Sequence, residues 1–270
     1  MYRVADDGMD IDGSWNTIKG NTIEGVIYED CLTSRGTGNV IVYNTIKDCG
    51  ADGMDIKFDK FFPETVTSDS KCTESARIGG CCHRIVGNEI ETLRDGRGIK
   101  LEQNNNHVVD NSIKDPFDSC VRADDGEDGG NDNYIAFNSC SGSLDARGFR
   151  IQGTDNFLEF NTAKENKEHG FEASGANNVF TCNNAYQNEE NGFFVREDGN
   201  VFIANTANKN ELSGFLVDED VGNTELTVNR AFDNELYGFA EDSNIHSNVY
   251  LDNKAKDNGE SDQIPFQIAF

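Results

Sequence analysis

Proline is almost missing from this sequence, with 3 residues in 270 against 27 glycines, which excludes proline-rich linkers and polyproline segments. Long apolar runs are missing too. None approaches the roughly 18 residues that a membrane-spanning helix needs. The opening MYRVADDG holds no apolar signal-peptide core, so an export signal is expected to have been removed or never to have existed. Positive charge is scarce: 23 Lys and Arg stand against 49 Asp and Glu, for a net charge of −26. That balance favours solubility and argues against nucleic acid or an anionic membrane as a partner. No paired CxxC occurs and the 4 histidines are scattered, so zinc knuckles are excluded.

Cysteine, by contrast, is plentiful for a cytosolic protein: Cys31, Cys49, Cys72, Cys81, Cys82, Cys120, Cys140 and Cys182. Disulfides in an oxidising, secreted or extracellular setting are the expectation, with the pairing open; the plainer alternative is that several are small core residues.

The later half of the chain repeats: RGFRIQGTDNFLEFNTAKEN, HGFEASGANNVFTCNNAYQN, NGFFVREDGNVFIANTANKN and two more segments of the same form. One asparagine recurs at Asn161, Asn183, Asn205, Asn229 and Asn253, and backwards at Asn138, Asn111, Asn88, Asn44 and Asn21. The two wider gaps mark insertions at 58–82 and 124–132. Thirteen residues before the asparagine stands Gly8, Gly98, Gly148, Gly170 or Gly192, and fifteen before it Gly214 or Gly238; Cys31 and Cys120 occupy the same slot. Apolar residues follow that slot (Met9, Leu32, Met54, Ile99, Val121, then five phenylalanines from Phe149 to Phe239), precede the asparagine (Ile18 to Tyr250) and follow it (Ile23 to Ala255). No station carries the i, i+3, i+4 stripe of a helix. Three short strands per coil of about 22 residues, stacked coil on coil, predict an all-β right-handed parallel β-helix of about ten coils. The inward asparagines are expected to bond along the stack in one turn. One domain over 1–258 is expected, with a tail at 259–270 (IPFQIAF at its end) packed on the helix. Across nearly the whole chain the pattern resembles the parallel β-helix superfamily that contains pectate lyases.

The string DGMDI occurs twice, at Asp7–Ile11 and Asp52–Ile56, which places it at the start of the first strand in coils one and three. Side chains alternate in a strand, so Met9, Ile11, Met54 and Ile56 point inward while Asp10, Asp12, Asp55 and Lys57 point outward. Two outward columns follow. The first reads Asp10, Thr33, Asp55, Lys100, Arg122, Arg150, Glu172, Phe194, Leu216, Ala240; the second reads Asp12, Arg35, Lys57, Glu102, Asp124, Gln152, Ser174, Arg196, Asp218, Asp242. Coils stack about 4.8 Å apart, so Lys100, Arg122 and Arg150 should lie side by side, an arrangement that repels itself unless an anion intervenes. A solvated salt-bridge ladder is the plainer reading of the same columns.

The segment DGRGIKLEQ at 95–103 resembles the part of family-nine pectate lyases that presents a catalytic lysine, and DGMDI at 52–56 is similar to the string that supplies an upstream calcium-ligating aspartate. That resemblance implies Lys100 as base and Asp55 as calcium ligand. Ile99 and Glu102 depart from the family pattern. The spacing of Lys100 and Arg122 also resembles the base and arginine of family-six alginate and chondroitin lyases. Chemistry agrees with this: β-elimination from a uronate needs a base for a weakly acidic C5 proton and a cation on the C6 carboxylate. Arg122 beside Lys100 is expected to lower the lysine pKa.

Substrate contacts are expected from Arg150, Lys57 and Gln152. Metal ligation, with Ca²⁺ as the ion, is expected from Asp55, Asp10, Glu102, Asp124 and Asp125, the last two in the acidic loop ADDGEDGGNDN. The function expected is a lyase acting on an acidic polysaccharide. A C5-epimerase, a glycoside hydrolase using Asp10 and Asp55 about 9.6 Å apart, or a non-catalytic binding rod are the alternatives. The hydrolase pattern lacks its Gly-His-Gly, the nearest string being Glu168-His169-Gly170. The N-terminal end carries no capping helix, which points to a missing segment or self-association there.

Overall fold

The computed structural model describes residues 5–57, 83–124, 130–242 and 247–262. Three sheets of ten parallel strands each form the walls of a rod, wound right-handed. Each coil contributes one strand to each sheet: coil four, for example, supplies Ile99–Leu101, His107–Val109 and Ser112–Lys114. No helix occurs among the described residues. The expected coil count and strand order hold throughout. The start of the tail follows the winding rather than leaving it: Tyr237 bridges Ser261, and the Glu260 N–H donates to the Leu236 carbonyl at 2.8 Å. The end of the tail at 263–270, the insertion at 58–82 with Cys72, Cys81 and Cys82, and residues 125–129 of the acidic loop lie outside the described residues.

The interior is filled by columns. Phe149, Phe171, Phe193, Phe215 and Phe239 stack with ring centroids 4.7 to 4.9 Å apart, and Phe180 stacks on Phe202 at 4.7 Å. Facing them on the third sheet are Ala163, Ala185, Ala207, Ala231 and Ala255, whereas coils one to four pair isoleucines there with Met9, Leu32, Met54 and Ile99. Large residues on one wall are thus matched by small ones opposite, which keeps the volume of the core constant along the rod. The glycine slot sits tight against that third wall: a Cβ on Gly170 would come 2.8 Å from the Ala185 Cβ. Where the slot is cysteine, the side chain bonds across the coil instead, as Cys31–Cys49 and Cys120–Cys140.

Three asparagine ladders hold the corners, not one. The ladder read from the sequence is present: each member accepts from the backbone N–H and side-chain amide of the one below, as Asn183 does from Asn161 at 2.9 and 3.0 Å. A second runs through Asn16, Asn39, Asn106, Asn133, Asn156, Asn178, Asn200 and Asn248, and a third through Asn166, Asn188, Asn210, Asn234 and Asn258. The residue before each first-ladder asparagine is left-handed, among them Phe137, Phe160, Cys182 and Val228 with φ of 53° to 59°. Such a conformation costs roughly 1–3 kcal/mol outside glycine, which the buried amide bonds offset.

His83 takes an asparagine position in the second ladder, its backbone N–H donating to Asn106 Oδ1 at 3.1 Å and its Nε2 lying 3.0 Å from Gln103 Oε1. Burial, opposed by the bonds to Gln103 and Gly36, holds its pKa down at about 4.

Two outcomes follow from the ladders. Asn183→Ala strands the Asn161 donors and the Leu158 carbonyl inside the rod and should lower unfolding free energy by about 3 kcal/mol in urea titration, while exposed Asn184→Ala should change it by less than about 0.5 kcal/mol. His83 has a folded pKa below its unfolded value, so its stabilising contribution is complete above pH 6.5 and lost as pH falls towards about 4. His83→Asn should flatten the stability profile in that window, a change on the order of 3 kcal/mol.

Candidate functional site

The outer face of the first sheet carries the charged columns in the expected register. Asp55 pairs with Lys100, Lys100 with Arg122, Arg122 with Arg150 and Arg150 with Glu172 across successive coils. A further column stands one residue before the glycine slot, beside the first: Asp7, Asp30, Asp52, Arg97, Ser119, Arg147, His169. The turn into each strand swings these side chains toward the sheet face. Asp30 and Asp52 thereby meet Asp55, and one ligand atom from each of the three buried carboxylates lies within 4.8 Å of the others.

Two ammonium groups lean on this trio. Lys57 Nζ lies 2.8 Å from Asp55 Oδ2 and 3.1 Å from Asp30 Oδ2, and Lys100 Nζ lies 3.7 Å from Asp55 Oδ2. Asp55 is 2% exposed, and its Oδ1 is buried without a hydrogen-bond partner. Burial pushes the Asp55 carboxyl up to about 7 against the pull of Lys57 and Lys100, and burial raises Asp52 as well, with the Arg97 backbone bond and charge opposing. Burial pulls the Lys100 ammonium down, but its bond to Glu102 and the charges of Asp55, Glu102 and Asp52 outweigh it, leaving the pKa above the ordinary lysine value. The expected lowering by Arg122 is therefore reversed, because carboxylates crowd the lysine more closely than the guanidinium does.

Beyond Lys100 the face turns to arginine. Arg122 Nε donates to Gln152 Oε1 at 2.7 Å and its Nη2 lies 3.4 Å from Asp124. In coil seven Glu172, fully buried, pairs with Arg147, lies 3.6 Å from Arg150 Nε and 3.7 Å from Arg196 Nη1, and accepts from Ser174 Oγ at 2.6 Å. Burial, with the charges of Arg122 and Arg147 and against that of Glu172, keeps the Arg150 guanidinium below its usual value. Further along, His169 packs on Phe194 with centroids 4.6 Å apart, and the Arg196 guanidinium lies 5.6 Å from the Phe194 centroid.

The family described as right-handed β-helix region matches residues 130–264, half of the chain. The chain belongs to this right-handed β-helix family. Solved β-helices superpose on it: the periplasmic alginate epimerase AlgG with TM-score 0.65 and 14% identity over 97% of this chain and 76% of that one, and pectate lyase Pel9A with TM-score 0.58 and 14% identity over 87% and 64%. The A-module of the Azotobacter vinelandii mannuronan C-5 epimerase AlgE4 is similar at TM-score 0.57 and 12% identity, over 96% and 81%. At such identities the likeness is one of fold. No curated protein matches the chain in sequence.

On this β-helix the residues expected from sequence divide. Lys100, Arg122, Arg150 and Gln152 share one face as the columns predict. Lys57 is drawn into the carboxylate trio rather than offered outward as a substrate contact. Of the expected metal residues among those described, only Asp55 joins a cluster. Asp10 is engaged by Arg35, Glu102 by Lys100 and Asp124 by Arg122, and Asp125 lies outside the described residues. With Asp10 paired and Asp55 buried, the two carboxylates of a hydrolase do not face each other across open space. Asp30 and Asp52 were missed, although Asp52 opens the second DGMDI string and Asp30 stands in the same slot one coil earlier.

Glu172→Ala removes the buried anion between Arg147, Arg150 and Arg196 and should destabilise the β-helix by about 3 kcal/mol in chemical denaturation, with partial recovery in phosphate buffer.

Proposed function

We propose that this β-helix is a polysaccharide lyase that cleaves an acidic, uronate-containing polysaccharide by β-elimination, using a divalent cation, Ca²⁺ by donor chemistry. One observation carries the reading: Lys100 stands between the buried trio of Asp30, Asp52 and Asp55 and the guanidinium groups of Arg122 and Arg150. Three hard oxygen donors within 4.8 Å, one of them on a carboxylate whose other oxygen is buried and unpaired, fit a cation that takes carboxylate oxygens and fills its remaining positions from substrate and water. Such an ion would neutralise a C6 carboxylate and the enolate-like charge that develops on it.

The chain's own residues supply the rest. Arg122 and Arg150 orient the uronate carboxylates along the face and keep them beside Lys100. Lys100 Nζ takes the C5 proton; the electron pair of that bond forms the C4–C5 double bond; the C4–O bond breaks, and its oxygen leaves with a proton taken from water. Lys100 can act this way once it has given its own proton to solvent, a state favoured by a cation on Asp55, which removes the pull of that carboxylate on the ammonium. The names of the structural neighbours, a pectate lyase and two alginate or mannuronan epimerases, support a polyuronate as the substrate class. The two disulfides among the described residues agree with a secreted or extracellular place of action.

A C5-epimerase is the second reading, favoured by the likeness to AlgG. It shares the proton abstraction but returns a proton to the opposite face of C5 instead of breaking the C4–O bond. The protein incubated with polygalacturonate, alginate and chondroitin should release unsaturated uronate, seen by its ultraviolet absorbance, from one of the three. Chelator and Lys100→Ala should each lower the rate by at least about a hundredfold. Absence of unsaturated ends, with inverted C5 centres seen by NMR, would replace the lyase by the epimerase.

A further inference from the structure

Resting on the reading that Asp30, Asp52 and Asp55 hold a divalent cation, we propose that Lys57 is a tethered competitor for that ion. Its ammonium fills the space between Asp30 and Asp55 and must be displaced for the ion to enter. Lys57 belongs to the second outward column, between Arg35 and Glu102, where a side chain is free to rise from the sheet. It instead leans back across the face to both carboxylates, at 3.1 and 2.8 Å. Its backbone is held in place: the Lys57 N–H donates to the Ser34 carbonyl at 3.0 Å, and the Lys57 carbonyl accepts from the Gln103 side-chain amide. Only the side chain has to move.

The trio is met by cations at its edges and not at its centre. Lys57 reaches Asp30 and Asp55, Lys100 lies 3.7 Å from Asp55 and Arg97 3.6 Å from Asp52, and Asp55 Oδ1 remains buried and unpartnered. A single ammonium donates to the Asp30 and Asp55 edge of the trio, whereas a divalent ion can engage all three carboxylates at once and carries twice the charge. The Lys57 side chain is 28% exposed against 3% for Asp55, so its exit is open to solvent while the carboxylates stay in place. The displaced ammonium remains on the same face as Arg122 and Arg150. Ion uptake thus frees a cation for an anionic sugar, and the two ligands should favour each other's binding.

The test is calorimetric titration of calcium chloride into chelator-treated full-length protein, for the parent, Lys57→Met, Lys57→Gln and Lys57→Arg. Circular dichroism and melting temperature establish that each variant is folded, and Lys57→Gln and Lys57→Arg serve if Lys57→Met does not fold. The neutral variants should bind calcium at least about tenfold more tightly than the parent, and Lys57→Arg no more tightly. Without calcium the neutral variants should melt below the parent, and calcium should raise their melting temperatures by more than it raises the parent's. Equal calcium affinity in the parent and the neutral variants overturns the competitor role and leaves the cation site standing. No binding and no melting shift in any variant overturns the cation site and the competitor role together.

Discussion

Everything in this rod depends on satisfying the backbone at its corners. A parallel sheet pairs its own amides, but where the chain bends through a left-handed residue, the N–H of the buried asparagine that follows bonds to a side chain and not to the sheet. Asparagine solves this because its side chain is an amide: it accepts from the backbone and side chain of the coil below while donating to a carbonyl nearby. Because successive coils make the same bonds, two ladders run along most of the rod and a third along its later half, and together they set the stacking distance of the sheets.

That regularity leaves the outward side chains free to differ. The core demands only that the volume of each layer be kept, by isoleucine against medium-sized residues in the early coils and by phenylalanine against alanine in the later ones. The first sheet's outer face can therefore carry acid in coils two and three, lysine and arginine in coils four to six, and a Phe194–Leu216–Ala240 strip beyond, with no change to the frame. A stacked scaffold converts a sequence interval of one coil into a distance near that of one strand spacing, which is how charges far apart in the chain become neighbours.

Electrostatics on that face are organised by burial. Glu172, fully buried, holds three arginines together, and Lys57 and Lys100 hold the acidic trio together. In a chain of net charge −26, gathering so many cations on one face needs such internal anions, and each buried carboxylate there has cationic neighbours in contact. The unpaired Oδ1 of Asp55 marks the place where this compensation is incomplete.

The sequence by itself determined the fold, the three walls, the first asparagine ladder and both outward columns, because a periodic stack turns spacing directly into register. Lys100, Arg122 and Arg150 could be placed side by side from residue numbers alone for the same reason. Only the tertiary structure decided where the side-chain tips go. Asp30 and Asp52 stand in turns, outside the alternation of a strand, so their approach to Asp55 depends on how the turn bends. Lys57 belongs by register to the outward column but has a stem long enough to reach across it, and the buried carboxylates of Asp30 and Asp55 draw it there. The second ladder, broken by His83 and Thr224, and the third, which starts from Ser143, repeat the same letter as the first, but only the stacked coils show that these asparagines turn inward and bond to one another. Register depends on backbone spacing, which the sequence spells out; partnership depends on reach, burial and charge, which exist only once the coils are stacked.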